Sequence, residues 1–288
     1  MTIGFIGLGI MGESMCENVI KKSGSSCVVY DVNSVAVEKM KELGAAAGSG
    51  VSDVARQSDV IITMLPKSEH VRAVVEEMLP ELGAGKIVID MSTIDPSVSV
   101  ELADKVKQTG AVMLDAPVVK SKPAAIEGTL GILVGGDEVV FEKVKPILLY
   151  IGCNVIRMGG NGAGLIMKVI HNMLVAQIQA GVNEMLTLAN SAGIDIDDAV
   201  TAISYGGGQN FYLDGKKNAI KNRDFTTAFS VENMHKDVHI AERLISEMGL
   251  ELPGAARAVE LYDKAMSMGI GKEDFSAMIK VTENNNVK

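Results

Sequence analysis

The chain has no surplus of positive charge, no paired-cysteine pattern, no unbroken apolar run of membrane length and no internal repeat. Its 36 aspartates and glutamates outnumber 27 lysines and arginines, giving a net charge of −9. Nucleic acid and anionic membranes recruit clustered basic residues, so neither is an expected partner. A small anion responds to local charge and stays open as a substrate. Cys16, Cys27 and Cys153 are odd in number and widely spaced, which suits a reducing compartment and offers no metal-binding spacing. All three read as small hydrophobes. Residues 1–12 are apolar but lack the basic stretch of a secretion signal. The oiliest helical pattern is interrupted by Lys168, His171, Asn172, Gln177 and Gln179, which argues against a membrane span. A cytoplasmic globular protein with a short polar tail, Glu283–Lys288, is the expectation.

What is present is organised in two halves. A length of 288 residues suits two domains of roughly 100–200 residues each. Up to about residue 160, short β-branched runs alternate with amphipathic helical patterns. Strands are expected at Thr2–Ile6, Cys27–Tyr30, Val60–Met64, Lys86–Asp90, Ala111–Asp115, Thr129–Val134 and Asn154–Met158. Helices are expected at Met11–Lys22, Val35–Leu43, Glu69–Met78, Val98–Gln108 and Glu138–Leu149. Such alternation specifies an α/β fold, a doubly wound parallel sheet of the Rossmann type. After Gly159-Gly160-Asn161-Gly162 the strand signals stop. Helices follow at roughly 163–191, 196–204, 213–221, 231–248, 254–268 and 273–282. The expected domains are therefore 1–161, binding a nucleotide, and 162–288, all-α and joined to the first by a long helix.

Gly7-Leu8-Gly9-Ile10-Met11-Gly12 follows the first strand and opens the first helix. The first glycine permits a tight turn, the second clears space for a pyrophosphate, and the third lets helix and strand pack closely. The helix N-terminus offers N–H groups to the anion. Asp31 ends the second strand, 19 residues after Gly12, placed to accept ribose hydroxyls. Its charge opposes a 2′-phosphate, and positions 32–36 hold no lysine or arginine, so NAD is favoured over NADP. Met64-Leu65-Pro66 and Met91-Ser92-Thr93 fall at carboxyl ends of strands, where ligands bind in open α/β sheets.

In the long helix Gly164, Lys168 and Asn172 recur every four residues and share one face. An ammonium and an amide on a mostly apolar helix are costly unless something satisfies them. Gly164 is expected to keep one turn bare for close approach by a ligand.

The sequence here resembles the β-hydroxyacid dehydrogenases, the 3-hydroxyisobutyrate dehydrogenase family, related to 6-phosphogluconate dehydrogenase. GFIGLGIMG (4–12), DMST (90–93), DAPV (115–118), EGTL (127–130), GAGLIMKVIHN (162–172) and HKD (235–237) carry the resemblance over nearly the whole chain. It implies an NAD-dependent oxidoreductase that interconverts a short β- or γ-hydroxy acid and its semialdehyde by hydride transfer. Lys168 matches the catalytic general acid/base, and Asn172 the residue that helps hold substrate. A free lysine has a pKa of about 10.4, and burial or a neighbouring cation lowers it toward the working range. Lys236 matches a position near the nicotinamide. Family members are commonly homodimers or homotetramers. His171 and His235 lie near these motifs without ligand spacing to other metal-binding residues; both read as structural, and no metal is expected.

The chain departs from the family after Asp-Ala-Pro-Val. The commonest continuation, Ser-Gly-Gly, grips the substrate carboxylate. Here it is Val119-Lys120-Ser121. Lys120 could give a point charge, and Ser121 a hydrogen bond, to an anionic head group. Sulfolactaldehyde reductases are similar at this loop, which makes a sulfonate the alternative substrate. Ser92 and Phe211 complete the expected substrate contacts, with the loop Tyr205–Tyr212 closing over the far end. An imine reductase on the same architecture is a more distant alternative, disfavoured by Lys168. A non-catalytic NAD-binding protein is disfavoured by the retention of Lys168 and Asn172.

Overall fold

The computed structural model describes residues 1–284. It divides into two compact units, one from Met1 to Lys168 and one from Val169 onward. The sequence placed the boundary after residue 161; the structure divides inside the long helix, whose first turns belong with the sheet.

The first unit runs β1 (Thr2–Ile6), α1 (Gly12–Ser23), β2 (Ser26–Tyr30), α2 (Ser34–Glu42), β3 (Ala46–Ala47), α3 (Val51–Gln57) and β4 (Val60–Thr63). It continues through α4 (Ser68–Met78), β5 (Ile87–Asp90), α5 (Pro96–Gln108), β6 (Val112–Asp115) and β7 (Val118–Val119). Then come α6 (Lys122–Glu127), β8 (Leu130–Gly135), α7 (Glu138–Leu148) and β9 (Gly152–Gly159). The sheet order is β3-β2-β1-β4-β5-β6-β8-β7, with β9 beside β8. From β3 to β6 every pairing is parallel. The order reverses direction at β1 and β4, which is where such sheets open a crevice for ligands.

Successive residues of the central strands serve opposite faces. Ile61, Val88 and Met113 enter one core, while Ile62, Ile89 and Leu114 enter the other. Both faces are buried, so these strands read as continuous apolar runs rather than alternating ones. The far edge differs from the rest: β8 runs antiparallel to β6 and β7. A parallel return needs about a dozen residues or more, usually with a full helix, and α6 is only six residues long. Helices α3 and α6 and strands β3 and β7 lie outside the sequence expectations; each is too short to show a period.

Helix α8 (Ala163–Ser191) starts in the first unit and continues into the second. The second unit adds α9 (Ile196–Ser204), α10 (Phe211–Asn222), α11 (Val231–Glu247), α12 (Pro253–Ser267), a 3₁₀ turn at Phe275–Met278 and α13 (Ile279–Asn284). Side-chain caps fix several starts: Asp195 accepts from Asp197 N–H, Asn210 from Leu213 N–H, and Ser230 from Asn233 N–H. The Asn210 cap explains why α10 begins two residues before the periodicity does. Val169, Met173, Val231, Met234, Val238 and Tyr262 form the main core of this unit. Within it Gln179 Nε2 donates to Tyr212 Oη at 3.1 Å and to the Phe275 carbonyl at 2.7 Å. The Tyr262 hydroxyl donates to Gln179 Oε1. By length and apolarity alone α8 could cross a membrane.

Candidate active site

The glycine turn is shaped by the protein's own backbone at two positions and left open at the third. Gly7 has a φ of 96°, a left-handed value that suits glycine. A Cβ there would collide with the Met64 carbonyl oxygen, and a Cβ at Gly12 with the Gly7 carbonyl oxygen. A Cβ at Gly9 would meet no protein atom within 4 Å. Gly9 therefore needs no glycine for the fold, which is what a cradle for a ligand requires. Helix α1 starts at Gly12 with no side chain capping it, so its N–H groups remain suited to an anion. Leu8 is buried, while Ile10 is 58% exposed at the lip of the turn and Met11 sits between them.

Three further segments join this turn. Asp31 Oδ2 accepts the Leu8 N–H at 2.6 Å, and its Oδ1 accepts the Asn33 N–H at 2.7 Å. The carboxylate thus braces the turn while keeping lone pairs for other donors. Met64 and Leu65 line the back of Gly7. Leu65 N–H donates to Ser92 Oγ at 2.8 Å, and Ser92 Oγ donates to Asp90 Oδ1 at 2.5 Å. Ser92 is fully buried, so the hydroxyl expected to touch substrate instead ties two strand ends together. Thr93, next to it in sequence, is half-buried, whereas Pro66 is exposed.

Two buried carboxylates at strand ends carry structural work that the motif reading did not assign. Asp90, at the end of β5, accepts Thr63 Oγ1 at 2.8 Å as well as Ser92. Its Oδ2 has no hydrogen-bond partner. Burial dominates, and the pKa is pushed up to about 6. Asp115, at the end of β6, accepts the Gly162 N–H at 2.7 Å and the Leu165 N–H at 3.0 Å. It fixes the entry into α8 from 47 residues away. Burial raises its pKa too, opposed by those backbone N–H groups. Gly164 corrects an expectation: a Cβ there would strike the Leu133 carbonyl and crowd Asp115 Oδ2. It is glycine for close packing on β8, not to bare the helix for a ligand.

Lys168 is 6% exposed and Asn172 3% exposed, one turn apart on α8. Asn172 Nδ2 donates to Asp237 Oδ2 at 2.6 Å. Its Oδ1 lies 3.0 Å from His171 Nδ1. Lys236 Nζ is 3.3 Å from Asp237 Oδ1, an ion-pair approach. Asp237, itself buried, so links Asn172 to Lys236 within the second unit. Asp237 lay inside a quoted motif, but its partner Asn172 is 65 residues away and no local spacing marks the pair.

The remaining expected positions are spread out. Val119 closes β7 and Ser121 precedes α6. Lys120 has a φ of 77°, so it occupies a glycine-type conformation where the family usually has glycine. That conformation costs a non-glycine residue about 1 kcal/mol. Its Nζ donates to the Thr129 carbonyl at 2.7 Å. Phe211 begins α10 and is 80% exposed.

A doubly wound sheet with an open glycine cradle and an acidic residue just after β2 has the form of a dinucleotide-binding domain. Residues 2–160 match the model of the NAD-binding domain of 6-phosphogluconate dehydrogenase. Residues 162–282 match that of the NAD-binding domain of NADP-dependent 3-hydroxyisobutyrate dehydrogenase. The chain is 34% identical to 2-(hydroxymethyl)glutarate dehydrogenase of Eubacterium barkeri, over 98% of this chain and 94% of the relative. It is 33% identical to 3-sulfolactaldehyde reductase of Escherichia coli, over 96% and 94%. It is 34% identical to the rat mitochondrial 3-hydroxyisobutyrate dehydrogenase, over 96% and 86%. The structure of 3-hydroxyisobutyrate dehydrogenase from Mycobacterium tuberculosis with L-serine superposes with a TM-score of 0.90 at 29% identity, covering 98% of each chain. The chain belongs to the 3-hydroxyisobutyrate dehydrogenase family, enzymes that oxidise or reduce at a CH–OH carbon.

Proposed function

We propose that this enzyme interconverts a short β- or γ-hydroxy acid and its semialdehyde with NAD, using Lys168 as the proton-transfer group. The supporting observation is the open cradle at Gly9, built into the same unit as the buried Lys168. The residues present fit a dinucleotide: Gly7–Gly12 and the start of α1 would hold the pyrophosphate, and Asp31 the adenosine ribose. Met64, Leu65, Pro66 and Thr93 would line the remainder. When bound, the nicotinamide accepts or supplies the hydride. Lys168 Nζ takes the hydroxyl proton in oxidation and returns it in reduction. Asn172 orients the substrate, and Asp237 holds the Asn172 amide in place. The family resemblance supports Lys236, ion-paired with Asp237, as a further cofactor contact.

Asp31 supports NAD over NADP, since its carboxylate repels a 2′-phosphate and Val32, Asn33 and Ser34 provide no cation. Both nucleotides occur in the names of relatives and matched models. Val119, Lys120 and Ser121 would meet the anionic head group of the substrate. Lys120, held in a conformation costly for lysine, supports a sulfonate as the second reading; its ammonium would exchange the Thr129 carbonyl for a sulfonate oxygen. Exposed Ile170, Leu174, Met185 and Leu188 on α8 support a homodimer or homotetramer. Three widely spaced cysteines, none of them in a disulfide, support a cytoplasmic location.

The test is a spectrophotometric screen for NADH formation and consumption over 3-hydroxyisobutyrate, glycerate, 2-(hydroxymethyl)glutarate, 4-hydroxybutyrate and 3-sulfolactaldehyde. Turnover with at least one, faster with NAD(H) than NADP(H), is expected. No turnover with any of them, with either nucleotide, would reject the proposal.

A further inference from the structure

Helix α11 carries His235 and His239 four residues apart, hence on one face. Asp263 of α12 reaches across to them. Its Oδ1 lies 2.9 Å from His235 Nε2 and 2.8 Å from His239 Nε2, and the two Nε2 atoms are 3.1 Å apart. These three atoms thus converge on one point; ligand atoms of the trio all lie within 4.8 Å of one another. The side chains are 28%, 30% and 53% exposed, so solvent reaches the point from one side.

Proton counting shows what the cluster lacks. His239 Nδ1 is 2.9 Å from Glu242 Oε2, and a carboxylate accepts only, so Nδ1 carries the hydrogen. In the neutral ring Nε2 is then a bare lone pair. It faces Asp263 Oδ1, another lone pair, and His235 Nε2 beside it. A proton on either Nε2 would satisfy only part of these contacts, whereas a cation at the meeting point satisfies all three.

We propose that His235, His239 and Asp263 bind one divalent transition-metal ion, zinc by its ligand set, that clamps α11 to α12. Two imidazoles and one carboxylate suit zinc, cobalt, nickel or copper; magnesium and calcium prefer all-oxygen shells. Tetrahedral zinc with bonds of about 2.0–2.1 Å sets ligand atoms about 3.3 Å apart. The observed spacings need only a slight widening, which half-exposed side chains can make. The fourth position, toward solvent, is left for water. Glu242 plays the part of the outer carboxylate that fixes the tautomer of a metal-bound histidine. Asp237 lies about 200° round α11 from His235, so the clamp is separate from the Asn172–Asp237 pair. Its existence does not depend on the proposed redox reaction.

The experiment uses the full chain, with any affinity tag removed and metal stripped by a chelator. Zinc binding is measured by titration calorimetry, and Co²⁺ by its visible absorption. One equivalent per chain is expected, with a tetrahedral cobalt spectrum and a Tm that rises with zinc. His235→Ala and His239→Ala should each weaken binding at least a hundredfold. Asp263→Asn, which keeps the shape of the side chain, should abolish the cobalt band. Glu242→Gln should weaken binding by about tenfold. The proposal is overturned if the wild-type chain shows no saturable binding, as it would were the cluster held together by protons alone. Stoichiometric binding that survives in His235→Ala and Asp263→Asn places the metal elsewhere and overturns it equally.

Discussion

The two units hold their polar groups in different ways. In the first, apart from Asp90 with Thr63 and Ser92, the side chains around the site grip backbone: Asp31 takes the Leu8 N–H, Ser92 the Leu65 N–H, and Asp115 the N–H groups of Gly162 and Leu165. In the second, side chains mostly grip each other across helices: Asn172 with Asp237, Gln179 with Tyr212 and Tyr262, Lys216 with Asp274. Helices satisfy their own backbone groups, so only side chains remain to join them. Strand ends leave backbone groups open, and a fixed carboxylate or hydroxyl there shapes the loops around a ligand. The first unit is thus built to present backbone to a small molecule, the second to lock helix against helix.

The contrast breaks most visibly at the glycine turn. Gly12→Ala should cost roughly 3 kcal/mol of stability, because the new methyl meets the backbone of Gly7. Gly9→Val should leave the Tm within a degree or so yet weaken NAD binding at least tenfold, since only a ligand would meet the side chain. Thermal melts beside nucleotide titrations separate the two; equal effects at both positions would deny the cradle.

Carboxylates give the next largest effects. Asp115→Ala removes the acceptor for two buried N–H groups and should cost roughly 3 kcal/mol. Asp237→Ala in the second unit breaks one side-chain pair and an ion pair, for about 2 kcal/mol. Urea unfolding of each variant checks the order; a costlier Asp237→Ala would invert the comparison.

Asp90 adds a pH dependence to the first unit. Its folded pKa of about 6 lies above the ordinary 3.8. Its contribution is therefore fully present below the ordinary value and lost as pH rises through about 6. The change is on the order of 3 kcal/mol at most. In Asp90→Asn the stability difference between pH 4 and 7 should flatten accordingly. An unaltered pH profile would show that Asp90 ionises normally. The smallest effect is expected at Asp31: Asp31→Ser should narrow the NAD over NADP preference by about tenfold, read from kcat/KM with each nucleotide. An unchanged ratio would remove Asp31 from nucleotide choice.

The same contrast sets what could be read from sequence. Residues that touch backbone are limited in type, so Gly7, Gly12 and Asp31 stand out at fixed spacings. The long helices show their period clearly, and α8 and α9 fall at the expected residues. What stayed hidden joins distant positions. Asp115 caps a helix that begins 48 residues later, and Gly164 is required by β8, which its neighbours in sequence do not reveal. His235 was read without His239 and Asp263; their convergence needs the packing of α11 on α12. Lys120 replaces glycine by name but not by backbone, and only the φ of 77° shows this.

The central claim is that Lys168 moves the proton while the glycine turn of the same unit holds the nucleotide. Stopped-flow measurement of hydride transfer in Lys168→Ala, alongside its NAD Kd, tests it most directly. A fall of about a hundredfold or more in the transfer rate with an unchanged Kd is predicted. A rate within a few fold of the wild-type enzyme would contradict it.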